Sequence, residues 1–189
     1  MSTSDETPRR APDRFNLYLY GGLLIAALAA FVAWRRARDP HRLWAKKVEA
    51  AHAQEIDRPL RRCFGVVTGP ELRRLADSIH RGPFPSPLKE CHGGPMAELV
   101  VAPNSFLPNT QDPPTEVYRL RERHRQSSLR MVAAARTLEH ELSGARGAPS
   151  DPQRESIASK LEDYAHEVEQ ERQAVADMVS AARDAASPF

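Results

Sequence analysis

The chain has 189 residues, a formal net charge of +2, 28% charged and 6% aromatic residues, and 16 prolines. Its length permits one ordinary domain, but five of its few large rings (Phe15, Tyr18, Tyr20, Phe31 and Trp34) sit in one N-terminal run. The remainder can bury helix stripes but not the thick interior of a typical enzyme, and the near-neutral charge excludes recruitment of nucleic acid or anionic lipid by a global field.

Residues 1–14 read as a disordered polar tail. Residues 15–34, FNLYLYGGLLIAALAAFVAW, are uncharged and bounded by Arg14 and Arg35. As a helix they would span about 30 Å, the thickness of a bilayer's hydrocarbon core. Tyr18, Tyr20 and Trp34 suit the two interfaces. A signal peptide cleaved after Ala29 is the rival. The apolar run continues past that point to Trp34, and Arg35-Arg36-Ala37-Arg38 follows as a stop-transfer flank, so an uncleaved anchor in the lipid bilayer is expected. Three basic residues precede the helix and six follow it closely, which places the C-terminal part in the cytoplasm by the positive-inside rule.

Residues 35–82 read as a membrane-proximal helical region. Asp39-Pro40 supplies a cap and a first-turn proline, and a modest stripe through Trp44 and Val48 runs to about Asp57 before Pro59 stops or kinks it. A compact helix follows. Thr68-Gly69-Pro70-Glu71 starts it, Leu72, Leu75, Ala76 and Ile79 form its stripe, and Gly82-Pro83 ends it. Residues 83–112 read as a Pro-rich extended connector, because each proline removes a donor and fixes φ. One short turn is expected near 96–101.

Residues 113–186 read as two long helices folded back about Gly147-Ala148. The first carries Val117, Leu120, Met131 and Leu138 on a mixed seam that also includes His124 and Ser127. The second opens with Ser150-Asp151-Pro152-Gln153, a capping box. Its seam is Ile157, Leu161, Tyr164, Val168, Val175 and Met178, in alternating steps of four and three broken once by Glu171, a coiled-coil register. Residues 113–146 carry seven basic and four acidic side chains, and residues 150–189 four basic and nine acidic, so charge favours pairing of the two helices. The fold-back sets Arg154 opposite Glu141. Glu171 is then expected to lean into water or to meet Arg123 or Arg125, and Glu171→Leu to stabilise the hairpin if its neighbours are apolar.

Cys63 and Cys91 are the only cysteines. A bridge between them would contribute about 3–4 kcal/mol by chain entropy and would imply an oxidising compartment. That tips the expected topology outward, against the arginine count. No paired ligand spacing marks a metal site, so His52, His80 and His92 are expected on the solvated surface. The basic run 119–125 is interrupted by Glu122 and lacks a stacking ring, so no nucleic-acid partner is expected. No catalytic motif and no cofactor motif occurs.

The expected molecule is mostly α, with a single N-terminal transmembrane helix, short helices with a Pro-rich connector, and a C-terminal antiparallel helical hairpin. Its expected role is non-catalytic: tethering or assembling protein partners at a membrane, with a protein partner or homo-oligomer formed through the C-terminal helices. The alternative is a helical binding module for a peptide or small ligand.

Overall fold

The computed structural model describes residues 14–91, 94–100, 115–145 and 149–186. Every regular element among them is helical: α1 (Arg14–Ala37), α2 (Pro40–His52), a π-helical turn (Ala53–Asp57), α3 (Arg58–Phe64), α4 (Gly69–Arg81), α5 (Ser86–Glu90), α6 (Gly94–Val100), α7 (Thr115–Gly144) and α8 (Asp151–Asp184). The chain divides into two units, one holding α1 and the other spanning Pro40–Ala186.

In the first unit, α1 contains an 18-residue window, Tyr20–Ala37, apolar enough to cross a membrane and with none of it buried. A signal sequence has the same property. Tyr18, Tyr20, Leu24, Ile25 and Phe31 are all exposed. At its C-terminal end Arg38 lies 4.6 Å over the Trp34 ring, a cation–π contact suited to an interfacial ring.

The second unit is organised around α8, on which α7, α4 and α2 each pack. Its main core joins Leu60, Phe64, Leu72 and Ile79 to Met131, Leu138, Ile157, Leu161, Tyr164 and Val168. A smaller cluster joins Trp44, Ala45 and Val48 of α2 to Val117, Val175, Met178, Val179 and Ala182. The sequence spacing of the α7 and α8 seams thus corresponds to buried positions, except that Leu120 is half-buried at the margin of the smaller cluster.

Pro59 does not end the helical run. The π turn ahead of it closes an i→i+5 bond, Arg58 N–H to the Ala53 carbonyl, and Pro59 falls in the first turn of α3, where a missing donor costs little. Gly65, in the left-handed region at φ 74°, ends α3. Thr68 and Glu71 then form a capping box: the Thr68 backbone N–H donates to Glu71 at 3.1 Å, and Glu71 N–H donates back to the Thr68 hydroxyl. The Thr68 hydroxyl and the Val67 and Thr68 amides hold the Glu71 carboxyl below the ordinary carboxylate range.

At Gly69, α4 comes close to the backbone of α8. A Cβ there would lie 2.7 Å from the Ala165 carbonyl oxygen and 3.0 Å from Glu169 Cβ. Arg154 of α8 donates to the carbonyls of Ile79 and Gly82, satisfying the last turn of α4.

Residues 83–100 are not an extended connector. They carry α5 and α6, whose Leu88, Met96 and Leu99 are buried in the main core. Proline at the first positions of α5 starts that helix, so prolines spaced two apart do not exclude a single turn. The rest of the connector, residues 101–112, lies outside the described residues.

The bridge Cys63–Cys91 ties α3 to the end of α5, with Cα atoms 4.7 Å apart. Replacing both cysteines with serine is expected to lower stability by about 2–5 kcal/mol, read as a fall in the urea midpoint. Gly69→Ala should cost about 1–3 kcal/mol through the clash with Ala165, whereas alanine at exposed Gly144, which meets nothing within 4 Å, should leave the midpoint within about 0.5 kcal/mol.

Candidate functional site

His124 and Ser127 on α7 and Glu171 on α8 interrupt the apolar seams, and the fold brings His124 and Glu171 together. Glu171 is fully buried at the level where the main core gives way to the smaller cluster, between Val168 of the first and Val175 of the second. His124 Nε2 lies 3.4 Å from Glu171 Oε1, and His52 Nε2, from the end of α2, lies 2.9 Å from Oε2. Both rings are buried. An ionised carboxylate only accepts, so the His52 Nε2 bonded to it carries its hydrogen.

Neither expectation for Glu171 is met: it reaches neither water nor arginine. Arg123 pairs with Asp177 at 3.0 Å and Arg125 with Glu122 of its own helix. Long arginine side chains gain more by keeping the guanidinium at the solvated rim, and the short rigid imidazoles fit between packed helices. His52, expected at the surface, is likewise an interior residue. His80 is exposed, and His92 lies outside the described residues.

Burial pushes the Glu171 carboxyl up, but the His124 and His52 contacts outweigh it and hold the group below the ordinary carboxylate range. One turn pair away on the same helix, the Tyr164 hydroxyl is fully buried and has no hydrogen-bond partner among the described residues. Burial, with the Glu171 charge adding to it, pushes that phenol up. An unpaired hydroxyl in such a place costs about 1–3 kcal/mol; the ring compensates by packing 5.8 Å from Phe64.

The cluster continues outward through α2. His52 Nδ1 lies 3.6 Å from Asp57 Oδ1, across the π turn. Arg172 pairs with Asp57 and donates to the Val67 carbonyl at 3.1 Å. Beside this end lies an open groove of 470 Å³ whose lining includes Glu49, His52, Asp57, Arg172, Val179 and Arg183. Arg183 spans it to both carboxylate oxygens of Glu49, at 2.7 and 2.8 Å.

Chemically the arrangement is a buried carboxylate faced by two imidazoles. Ser128 Oγ lies 3.4 Å from His124, but it approaches the same Nε2 that faces Glu171. The ring therefore does not bridge serine and carboxylate through its two nitrogens, as a nucleophilic relay does. Among the described residues no three His, Cys, Asp or Glu side chains are arranged to hold a metal ion; the two imidazoles address different oxygens of one carboxylate. Cys63 and Cys91 form a separate sulfur cluster in the main core, with Met96 Sδ at 3.7 and 3.8 Å.

Compared with family models, curated proteins and solved structures, the chain matches none.

Glu171→Leu is now expected to destabilise rather than stabilise, by about 3 kcal/mol, because it strands two buried imidazoles. With the folded carboxyl held below its unfolded value of 4.5, the stabilisation is present above that value and is lost as pH falls through the lower folded one. The urea midpoint of the wild type should therefore drop steeply on acidification below about pH 4.5, and that of Glu171→Gln less steeply.

Proposed function

We propose that the chain is a non-catalytic, single-pass membrane-anchored helical protein that tethers or assembles protein partners at a membrane. The observation that carries this reading is α1, a 24-residue helix whose large apolar side chains are exposed while the second unit completes its own core from residue 40 onward. A bilayer is the solvent that would cover such a surface. The continuation of the apolar run to Trp34 supports an anchor over a cleaved signal. The disulfide supports an extracytoplasmic C-terminal unit, against the balance of lysine and arginine.

The α7–α8 pair is read as an antiparallel hairpin. Arg123 meets Asp177 while Arg130 meets Glu167, so contacts retreat along α8 as they advance along α7. The outer face of α7, with exposed Tyr118 and Leu129 among its arginines, is the surface this reading offers to a partner or a second copy. The second reading, a module for a peptide or small ligand, is favoured by the groove beside His52.

Extraction separates anchor from signal sequence: detergent, but not carbonate or salt, should release the full-length protein, and a mature N-terminus at Ala30 would refute the anchor. Sedimentation in detergent separates the two functional readings. Mass action that Leu129→Glu abolishes supports assembly; a monomer at all concentrations supports the ligand module.

A further inference from the structure

The outward stripe of α7 has a spacing that reads the same from either end. From Tyr118 it steps by four, three and four residues to Leu129, and from Leu129 by four, three and four to His140. Every residue on it is exposed, Tyr118 at 49% and Leu129 at 43% among them. At 3.6 residues per turn these positions lie on one face, opposite Met131 and Leu138 of the seam, and run along about 33 Å of helix.

Charge is arranged about the same centre. In two copies of α7 laid antiparallel on these faces, with a two-fold axis at Leu129, each residue stands level with one equally far from Leu129 on the other side. Glu122, seven residues before Leu129, meets Arg136, seven after it, and Tyr118 meets His140. Arg121 and Glu139 are 18 residues apart, a whole number of turns, so they share one flank of the helix. The two-fold sets that flank against the same flank of the other copy, where their heights differ by about 3 Å, within an arginine's reach. Leu129 meets its own counterpart, and Ala133, one turn on, is small enough to leave it room.

Within one copy these groups are not answered across the fold. Arg123 and Arg130 of α7 are taken by Asp177 and Glu167 of α8. Arg121, Arg136 and Glu139 have no ion-pair partner among the described residues, and Glu122 turns to Arg125 and Gln126 of its own helix.

We propose that a second copy of this chain docks on α7, antiparallel, in a two-fold dimer centred on Leu129. The inference rests on the assembly reading of this surface and adds to it the occupant and the register. A two-fold interface uses one patch on both copies, so the patch must complement itself. Acid and base mirrored about a leucine meet that requirement, whereas a face made for an unlike partner has no need of the mirror. One pair of helices is a small interface, so the dissociation constant is expected on the order of micromolar, and anchoring in a shared membrane raises the effective concentration of the copies.

The chain's two cysteines are bridged to each other, so Leu129→Cys introduces a single free thiol. Full-length Leu129→Cys protein in detergent micelles is treated with a mild oxidant and separated without reductant. Facing Cα atoms of closely packed helices fall within disulfide reach, about 4.4–6.8 Å, so a covalent dimer is expected. Tyr118→Cys should give none, because its two copies stand about 33 Å apart in the antiparallel pair. By sedimentation of the protein without added cysteine, Arg136→Glu should weaken the dimer about tenfold, since it opposes Glu122 twice per dimer. Adding Glu122→Arg to it should restore the constant to within about threefold. A covalent dimer through Tyr118→Cys, a dimer indifferent to Arg136→Glu, or a failure of the double reversal to restore it overturns the proposal. A concentration-dependent oligomer that does not link through Leu129→Cys overturns this dimer and leaves the assembly reading standing; a monomer at every concentration overturns self-association altogether.

Discussion

A carboxylate with no access to water must be answered by donors, and in this protein the answer fixes how three helices meet. Glu171 cannot remain ionised in the core of α8 unless α2 and α7 arrive with His52 and His124 at the right height. A buried ion of this kind contributes little net stability compared with an apolar side chain of the same size. What it supplies is register. Sliding α7 by one turn on α8 would leave the apolar seams roughly matched but would remove a donor from Glu171, and a stranded buried charge costs several kcal/mol.

The same level divides the interior in two. On one side lies the main core, closed by α3, α4, α5 and α6 and tied by the disulfide. On the other lies the small α2 cluster. Ion pairs stitch the rim of both, Arg73 to Glu169, Arg130 to Glu167 and Arg183 to Glu49, but these are solvated and individually worth about 0.2–1 kcal/mol. The differences in strength between parts of the unit therefore follow apolar burial and the cross-link.

Much of this was legible in the sequence. Spacing marked both long helices and the start, stripe and stop of α4, and the two cysteines were read as a candidate bridge. The break at Glu171 was visible too, and the expected fold-back about Gly147-Ala148, which brings Arg123 and Arg125 into reach of Glu171, also brings His124 there. The partner was missed because formal charge drew attention to arginine, whereas burial selects the donor that is short and loses little solvation when neutral. His52 was illegible for another reason: its seam lies on α2, and nothing in a single sequence says that α8 is covered on a third side. The prolines of residues 83–100 misled in part because proline forbids the middle of a helix but favours its first turn, so α5 hides in a segment that composition describes as a linker, while α6 falls where one short turn is expected. No chemical signature singled out a substrate, and the His52–Glu171–His124 cluster carries no motif because its members lie on three separate segments.

The π turn also constrains chain length. In an uninterrupted α-helix each residue turns the axis by about 100°, so one residue more or less between His52 and Arg58 would rotate α2 against α3 by that amount. Trp44, Val48 and His52 would then point away from α8 whenever Cys63 and Phe64 kept their places in the main core. The wider turn absorbs the mismatch between two faces that must both be inward. The stretch from Pro40 to Phe64 consequently behaves as a phase-locked rod: substitutions on its outer side are matters of solubility, while a single-codon insertion or deletion anywhere along it exchanges one buried face for the other.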